Sequence, residues 1–395
     1  MKPTHFESVF KGIDFPMIEE DWRITRSKIG PGIPTQMSLM RHDPVMRTAL
    51  SIYLRDRSPA AQTTNISTIV NEQQAMFSFW TSGKKVFTVS ESLGKLLLQT
   101  DLKCAKGFLK LPFPCIFIRF DGRPVHLYVP YDGSWLPIDG VYVFEVDEEY
   151  IDKEWWGTRD YSLLGLLMRD PNAELKTFRV KHLRFVAISE GDPAYPDRFV
   201  GNVLHSGLPW EFPDTEIIDD KFISTTVKYK MDGNPDYKDS MDDFSTVMEL
   251  ALLTIAYINS SGSQVEFCKA PAAEFLAKAE HAKGGKAKKA ARRAARRSAL
   301  DYYYVGRTIQ VPSHAVESGT EEIRVGKTRY FKFRHQVRGH FRRYWLKEEN
   351  LSEADRKAAV VVEDGWASVQ RWIEPFWRGP ELAETLDQRY RVEKP

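Results

Sequence analysis

Residues 244–259 read FSTVMELALLTIAYIN, apolar nearly all round, with Asp242 and Asp243 ahead of them where a helix dipole favours anions. A helix without a polar face has to be enclosed by other parts of its chain. The pattern therefore predicts a buried spine and a substantial core around it. At 395 residues the chain is long enough for that core, and for two domains of about 100–200 residues each. A hydrophobic share of 42% and an aromatic share of 12% fit a folded protein.

The elements that would enclose the spine lie upstream. Apolar residues recur at helical spacing over 66–80 and 90–102, with Ser90 and Glu91 as an N-terminal start for the second run. CIFIRF, VHLYV and VYVFEV at 115–146 are rich in β-branched and aromatic residues. They are separated by the turn pairs Asp121-Gly122 and Asp139-Gly140, which predicts three antiparallel strands. A short helix at 161–168, a strand at 177–188 and another at 222–230 complete the reading. Residues 1–65 are rich in Pro and Arg and read as an arm with one short helix at 45–54, GPGIP at 30–34 being unable to continue a helix. The expected fold class is α+β: an antiparallel meander packed with helices, then a basic helical linker and a small basic, aromatic-rich C-terminal module. The expected boundaries are 1–268, 269–300 and 301–395.

The net charge of +2 conceals an asymmetry, because acids cluster before Asp243 and long basic runs follow Lys269. KGGKAKKAARRAARRSAL at 283–300 carries Lys288, Lys289, Arg292, Arg293, Arg296 and Arg297 among its cations and no acid, which suits an exposed basic helix with Gly284 and Gly285 as its weak point. Strands are expected at 302–312 and 323–339; the run 355–362 is ambiguous. Across 329–345, RYFKFRHQVRGHFRRYW, cations alternate with aromatic rings instead of segregating from them. Arg334, Arg338, Gly339, Arg342, Arg343, Tyr344 and Trp345 belong to this stretch, and QRWIEPFWRGP at 370–380 repeats the theme with Arg371, Trp372, Trp377 and Arg378. Guanidinium groups hold phosphates while π-faces stack bases, so these residues and the basic helix are the candidate RNA-binding set.

Other chemistries find less support. His335 and His340, on either side of a Val-Arg-Gly turn, could act with Arg338 as a metal-free ribonuclease pair, one imidazole removing the 2′-OH proton and the other protonating the leaving oxygen. That enzyme is one alternative; a structural interaction protein whose Arg and Trp clusters form an interface is another. Three cysteines (Cys104, Cys115, Cys268) without a CxxC spacing point to no disulfide framework and no cysteine zinc site, and to a reducing cytoplasm. His314, His335 and His340 lack paired cysteines, and acids at 214–220, 239, 242 and 243 are ordinary for solvated loops, so no metal and no other cofactor is expected. There is no phosphate-binding glycine loop, nucleophile elbow or kinase motif set. No signal-peptide core opens the chain, and no window approaches about 20 apolar residues.

His335, Arg338, Gly339, His340, Phe341, Tyr344 and Trp345, with Trp372 and Pro375 downstream, resemble the H-x-R-R-G-H-W-x-x-Y-W … W-x-P signature of a phage protein family. Its known member is an anti-CRISPR that blocks biogenesis of the type V-A CRISPR effector nuclease. Val337 stands where the signature has arginine and Phe341 where it has tryptophan. Weaker echoes run upstream through Leu111-Pro112, residues 115–120, residues 140–146 and the apolar helix ending near Ile258. The resemblance implies a protein of the host bacterial cytoplasm that recognises a nascent target polypeptide, a CRISPR effector or other defence protein, and lowers its messenger during translation. It places His335, Arg338, Gly339 and His340 at the functional centre, facing RNA or the ribosome.

Overall fold

The computed structural model describes residues 15–48, 59–122, 125–129, 134–151, 177–189, 203–219, 221–224, 238–269, 281, 284–289, 300–309, 322–325, 328–331, 335–337, 339–363, 365–373 and 376–378. Its helices are α1 (Phe15–Ile29), α2 (Gln36–His42), α3 (Pro59–Thr81), α4 (Glu91–Leu97), α5 (Lys238–Ile258) and α6 (Glu353–Ala358). The first ten strands are β1 (Lys85–Val89), β2 (Lys103–Ala105), β3 (Cys115–Phe120), β4 (His126–Val129), β5 (Ser134–Ile151), β6 (Thr177–Ser189), β7 (Val203–Pro209), β8 (Ile217–Asp219), β9 (Val265–Lys269) and β10 (Asp301–Val305). They are followed by β11 (Glu322–Val325), β12 (Thr328–Phe331), β13 (His335–Val337), β14 (His340–Lys347), β15 (Ala359–Glu363), β16 (Trp366–Ile373) and β17 (Phe376–Arg378).

The protein is mixed α+β, built on one large mixed sheet in the order β7-β6-β5-β3-β1-β10-β9. β1 runs parallel to β3 and β10, and the remaining pairs on that path are antiparallel. Every residue of β3 is buried because both of its faces are covered. Ile116, Ile118 and Phe120 face one core with Phe87, Val143 and Phe185; Cys115 and Phe117 face the other with Tyr142, Phe144 and Val186. The first core holds α5, the expected spine, with Val247, Leu250, Ala251, Leu252 and Ile255 all at 0% exposure. Trp22 of α1 and Phe77 and Phe79 of α3 fill the second.

Several local expectations change. β5 is one long strand that pairs β4 through residues 134–137 and β3 through residues 140–144. Asp139-Gly140 is therefore inside a strand rather than a turn, and the glycine serves close approach: a Cβ on it would lie 2.4 Å from the Ile118 carbonyl oxygen and 2.5 Å from Phe117 Cζ. Asp121-Gly122 is a turn, with Gly122 at φ +76°. Residues 221–224 form a helical turn instead of starting a strand, since Asp219 Oδ1 accepts from the Phe222 amide at 2.8 Å. The expected single strand at 323–339 is divided among β11, β12 and β13, of which β11 and β12 pair with each other. Residues 161–168 and 225–230 lie outside the described residues.

The N-terminal arm contains a helix the sequence reading did not anticipate, α1, ended by Gly30 in the left-handed region at φ +78°. A buried polar network ties the following segment to the sheet. Glu148 of β5 accepts from the Gln36 amide at 2.8 Å and from Gln74 Nε2 at 2.9 Å, and Arg184 Nη2 of β6 lies 3.4 Å from the same carboxylate. The Glu148 carboxylate thus finds partners that offset its burial, while Gln74 Oε1 and Arg184 Nε are buried without one among the described residues.

The stretch 301–305, expected to open the C-terminal module, is β10 and sits between β1 and β9 in the large sheet. Ser90 begins α4 as expected, its hydroxyl accepting from the Leu93 amide at 3.2 Å while donating to the Gly306 carbonyl at 2.7 Å.

Candidate nucleic-acid interface

The two basic-aromatic stretches of the sequence, some thirty residues apart, are neighbours in space. β14 pairs antiparallel with β16 from His340↔Ile373 to Lys347↔Trp366, and β13 pairs with β17 from His335↔Arg378 to Val337↔Phe376. The register does not slip between the two ladders, so they follow one line with a short interruption. Arg338, the middle of the Val-Arg-Gly segment, lies outside the described residues; His335 is paired with Arg378 in one ladder and His340 with Ile373 in the other.

Alternation gives the β14–β16 ladder two unlike faces. On one face Arg342 stands opposite Arg371, and Tyr344 receives both guanidinium groups, at 5.3 and 5.4 Å from its ring centroid. Two facing cations repel, but here one of them is neutralised. Arg371 Nη2 donates to both oxygens of Asp355 at 3.1 and 3.0 Å, and Asp355 is 3% exposed. Burial by itself pushes the Asp355 carboxyl up; hydrogen bonds from Ser352, Ser261 and Arg371 outweigh it and hold the group below the usual carboxylate range. Asp355 also accepts from Ser352 at 2.6 Å in the first turn of α6, whose amide in turn donates to the Ser352 hydroxyl at 3.1 Å.

The other face is graded. At one end Phe341 and its cross-strand partner Trp372 are half-buried against the core that holds α5, with the Trp372 ring edge-on to Tyr257 at 5.1 Å. The Ser261 amide donates to the Gln370 carbonyl at 3.0 Å beside that contact. At the other end Trp345 and Trp366 are 48% and 43% exposed. Arg343 lies 5.0 Å over the Trp345 ring, with its Nε donating to the buried Ser368 hydroxyl, and Lys347 lies 5.9 Å over the Trp366 ring. Such stacking keeps ring and cation together without consuming the outer N–H groups.

The other candidates are placed as follows. Lys288 and Lys289 are exposed on a short helical stretch beginning after Gly284. Gly339 is buried just before β14, and His340 is half-buried. His335, Trp377 and Arg378 are strand residues of the β13–β17 pair. Arg334, Arg338, Arg292, Arg293, Arg296, Arg297 and His314 lie outside the described residues.

Lys347, Trp366 and Asp355 were not singled out from sequence. Lys347 could have been found by carrying the alternation two residues past Trp345; Trp366 and Asp355 carry no local signal. Among the described residues no group of three or more His, Cys, Asp or Glu is placed to hold a metal ion. Of the acidic run, Asp214 pairs with Lys110 at 3.1 Å and Asp219 caps Phe222.

A family model described as AcrVA2-like, anti-CRISPR type V subtype A2 family, matches residues 87–379. Among solved structures the chain is similar to one described as the crystal structure of AcrVA2, at 10% identity and a TM-score of 0.45, covering 96% of this chain and 100% of that one. No curated protein matches it.

Proposed function

The chain belongs to the AcrVA2-like anti-CRISPR type V subtype A2 family, and from that premise we propose a phage protein that recognises a target polypeptide of the CRISPR effector and engages RNA at the translating ribosome to lower the target's expression. The observation that supports the RNA half is the single register joining both basic-aromatic stretches, which leaves Arg342, Arg343, Trp345 and Lys347 on an exposed strand. From Arg329 to Lys347 the sequence holds no acid, so this strand itself carries one sign of charge; the acids next to it are Glu349, beside Lys347, and Glu363, paired with Trp366. The polypeptide half rests on family membership and assigns recognition to the large α+β sheet unit.

The test is binding of the full-length protein to RNA and to translating ribosomes over a salt series. Binding is expected to weaken steeply with salt, and Arg342→Ala with Arg343→Ala to lower the slope of log K against log salt by about one per arginine. In cells expressing the effector, the double variant is expected to lose most of the fall in effector messenger. An intact fall in messenger, with salt-insensitive binding, counts against the RNA half.

A further inference from the structure

We propose that the exposed end of the β14–β16 ladder is a stacking platform for an unpaired RNA strand, with Trp345 and Trp366 as base seats and Arg343 and Lys347 as the phosphate partners. The inference rests on the RNA reading above and narrows it to one face and one form of RNA.

Trp345 is paired with Ser368, two residues along from Trp366, so the two residues are diagonal neighbours on one face, with their Cα atoms about 7–8 Å apart. At the backbone that spacing is about twice the 3.4 Å rise of a strand in a stacked duplex. Bases in a helix stay stacked on each other and reach neither ring; bases of an open strand can be splayed and seat one on each. Each ring already carries a cation, so a base that stacks brings its phosphate to a charge held in place. Arg343 is fixed further by its bond to Ser368, itself fully buried, which orients the guanidinium and leaves its outer edge for a phosphate. Lys347 also lies 3.8 Å from Glu349, but both side chains are exposed and such a pair yields readily to a phosphate.

The rest of this face separates a strand of RNA from a protein partner. On β14 and β16 its remaining positions are Ser368 and Gln370, which are buried, and Phe341 and Trp372, which are committed to the core around α5. On β15, Val361 is paired with Ser368 and Glu363 with Trp366, so the edge beside the exposed indoles is one valine and one carboxylate rather than the broad apolar centre of a protein interface. The opposite face offers no equivalent, because its Tyr344 lies between two guanidinium groups and one of these is bound by Asp355.

The experiment measures quenching of tryptophan fluorescence and competition binding of the full-length protein with an unstructured oligouridylate and with an RNA duplex of equal length. Trp345→Ala and Trp366→Ala are each expected to weaken binding of the single strand about tenfold, with duplex binding unchanged. Trp345→Phe should retain most of the affinity, and unchanged melting temperatures show that the variants are folded. If the alanine variants bind the single strand as well as the parent, or lose single-strand and duplex binding equally, the stacking platform is overturned while the RNA reading stands. If neither RNA binds in a salt-sensitive way, both fall.

Discussion

Two aspartates show how burial and partners decide the state of the same side chain. Asp43 is fully buried just after α2 and is bonded by the backbone amides that follow it, with Oδ1 accepting from the Val45 amide at 3.0 Å; burial pushes its carboxyl up to about 7 despite backbone bonds from Val45 and Met46. Asp355, at 3% exposure, lies less deep than Asp43 and also receives Ser352, Ser261 and Arg371, and it is held below its ordinary value of 3.8. Their pH effects are opposite in sign. Folded Asp43 takes up a proton that the unfolded chain takes up only near 3.8, so its contribution to stability falls as pH rises from about 4 to 7. Asp355 contributes stability above 3.8 and loses it as pH falls below that value. Thermal unfolding from about pH 2 to 8 should show Asp43→Asn gaining about 1–3 kcal/mol on the parent at pH 8 and little at pH 4. Asp355→Asn should lose about 1–3 kcal/mol at pH 7, with the deficit shrinking in acid. A flat difference for either variant would rule out the assigned titration. Neither aspartate was marked from sequence, since what distinguishes them is the set of groups around each.

Elements were legible where their whole pattern is local. The apolar run 244–259, the Ser90 start of α4 and the CIFIRF strand are each specified by residues within one stretch, and each stands where the pattern puts it. Pairing was not legible. The Asp139-Gly140 dipeptide has turn composition, yet β5 runs through it because its two ends satisfy different neighbours, β4 and β3. Gly140→Val is the direct check. With 2.4 Å to the Ile118 carbonyl, the side chain cannot enter without moving β3 from β5, and a loss of about 1–3 kcal/mol is expected. A turn residue facing solvent would tolerate the change, so a loss within about 0.5 kcal/mol would restore the turn reading. The candidate interface follows the same rule: its alternation of cations and rings was visible, but which rings dock and which are free was not.

At the scale of the whole molecule, the C-terminal sheet and the large sheet share a core. Phe341 and Trp372 pack on the cluster that contains α5, and β10 carries the chain back between β1 and β9 after the basic stretch. The joint runs through the end of α5, where Tyr257 meets Trp372 and Ser261 bonds Gln370. We therefore expect one cooperative unfolding transition for the parent protein. Tyr257→Ala and Trp372→Ala should each cost about 2–4 kcal/mol, with a coupling of about 0.5–1.5 kcal/mol in the double-mutant cycle. A coupling near zero would mean that the joint does not hold the two sheets together. No helix among the described residues is long and apolar enough to cross a membrane. The amino-acid sequence by itself determined the buried spine, the hydrophobic strands, the uneven charge and the motif by which the family is recognised, because propensity, periodicity and composition act over a few neighbouring residues. Only the tertiary structure decided that β13 pairs with β17 and β14 with β16 in the same register, that Trp372 and Phe341 face the core, and that Trp345 and Trp366 face outward. Those outcomes depend on register between distant strands, where a shift of one residue would exchange the two faces.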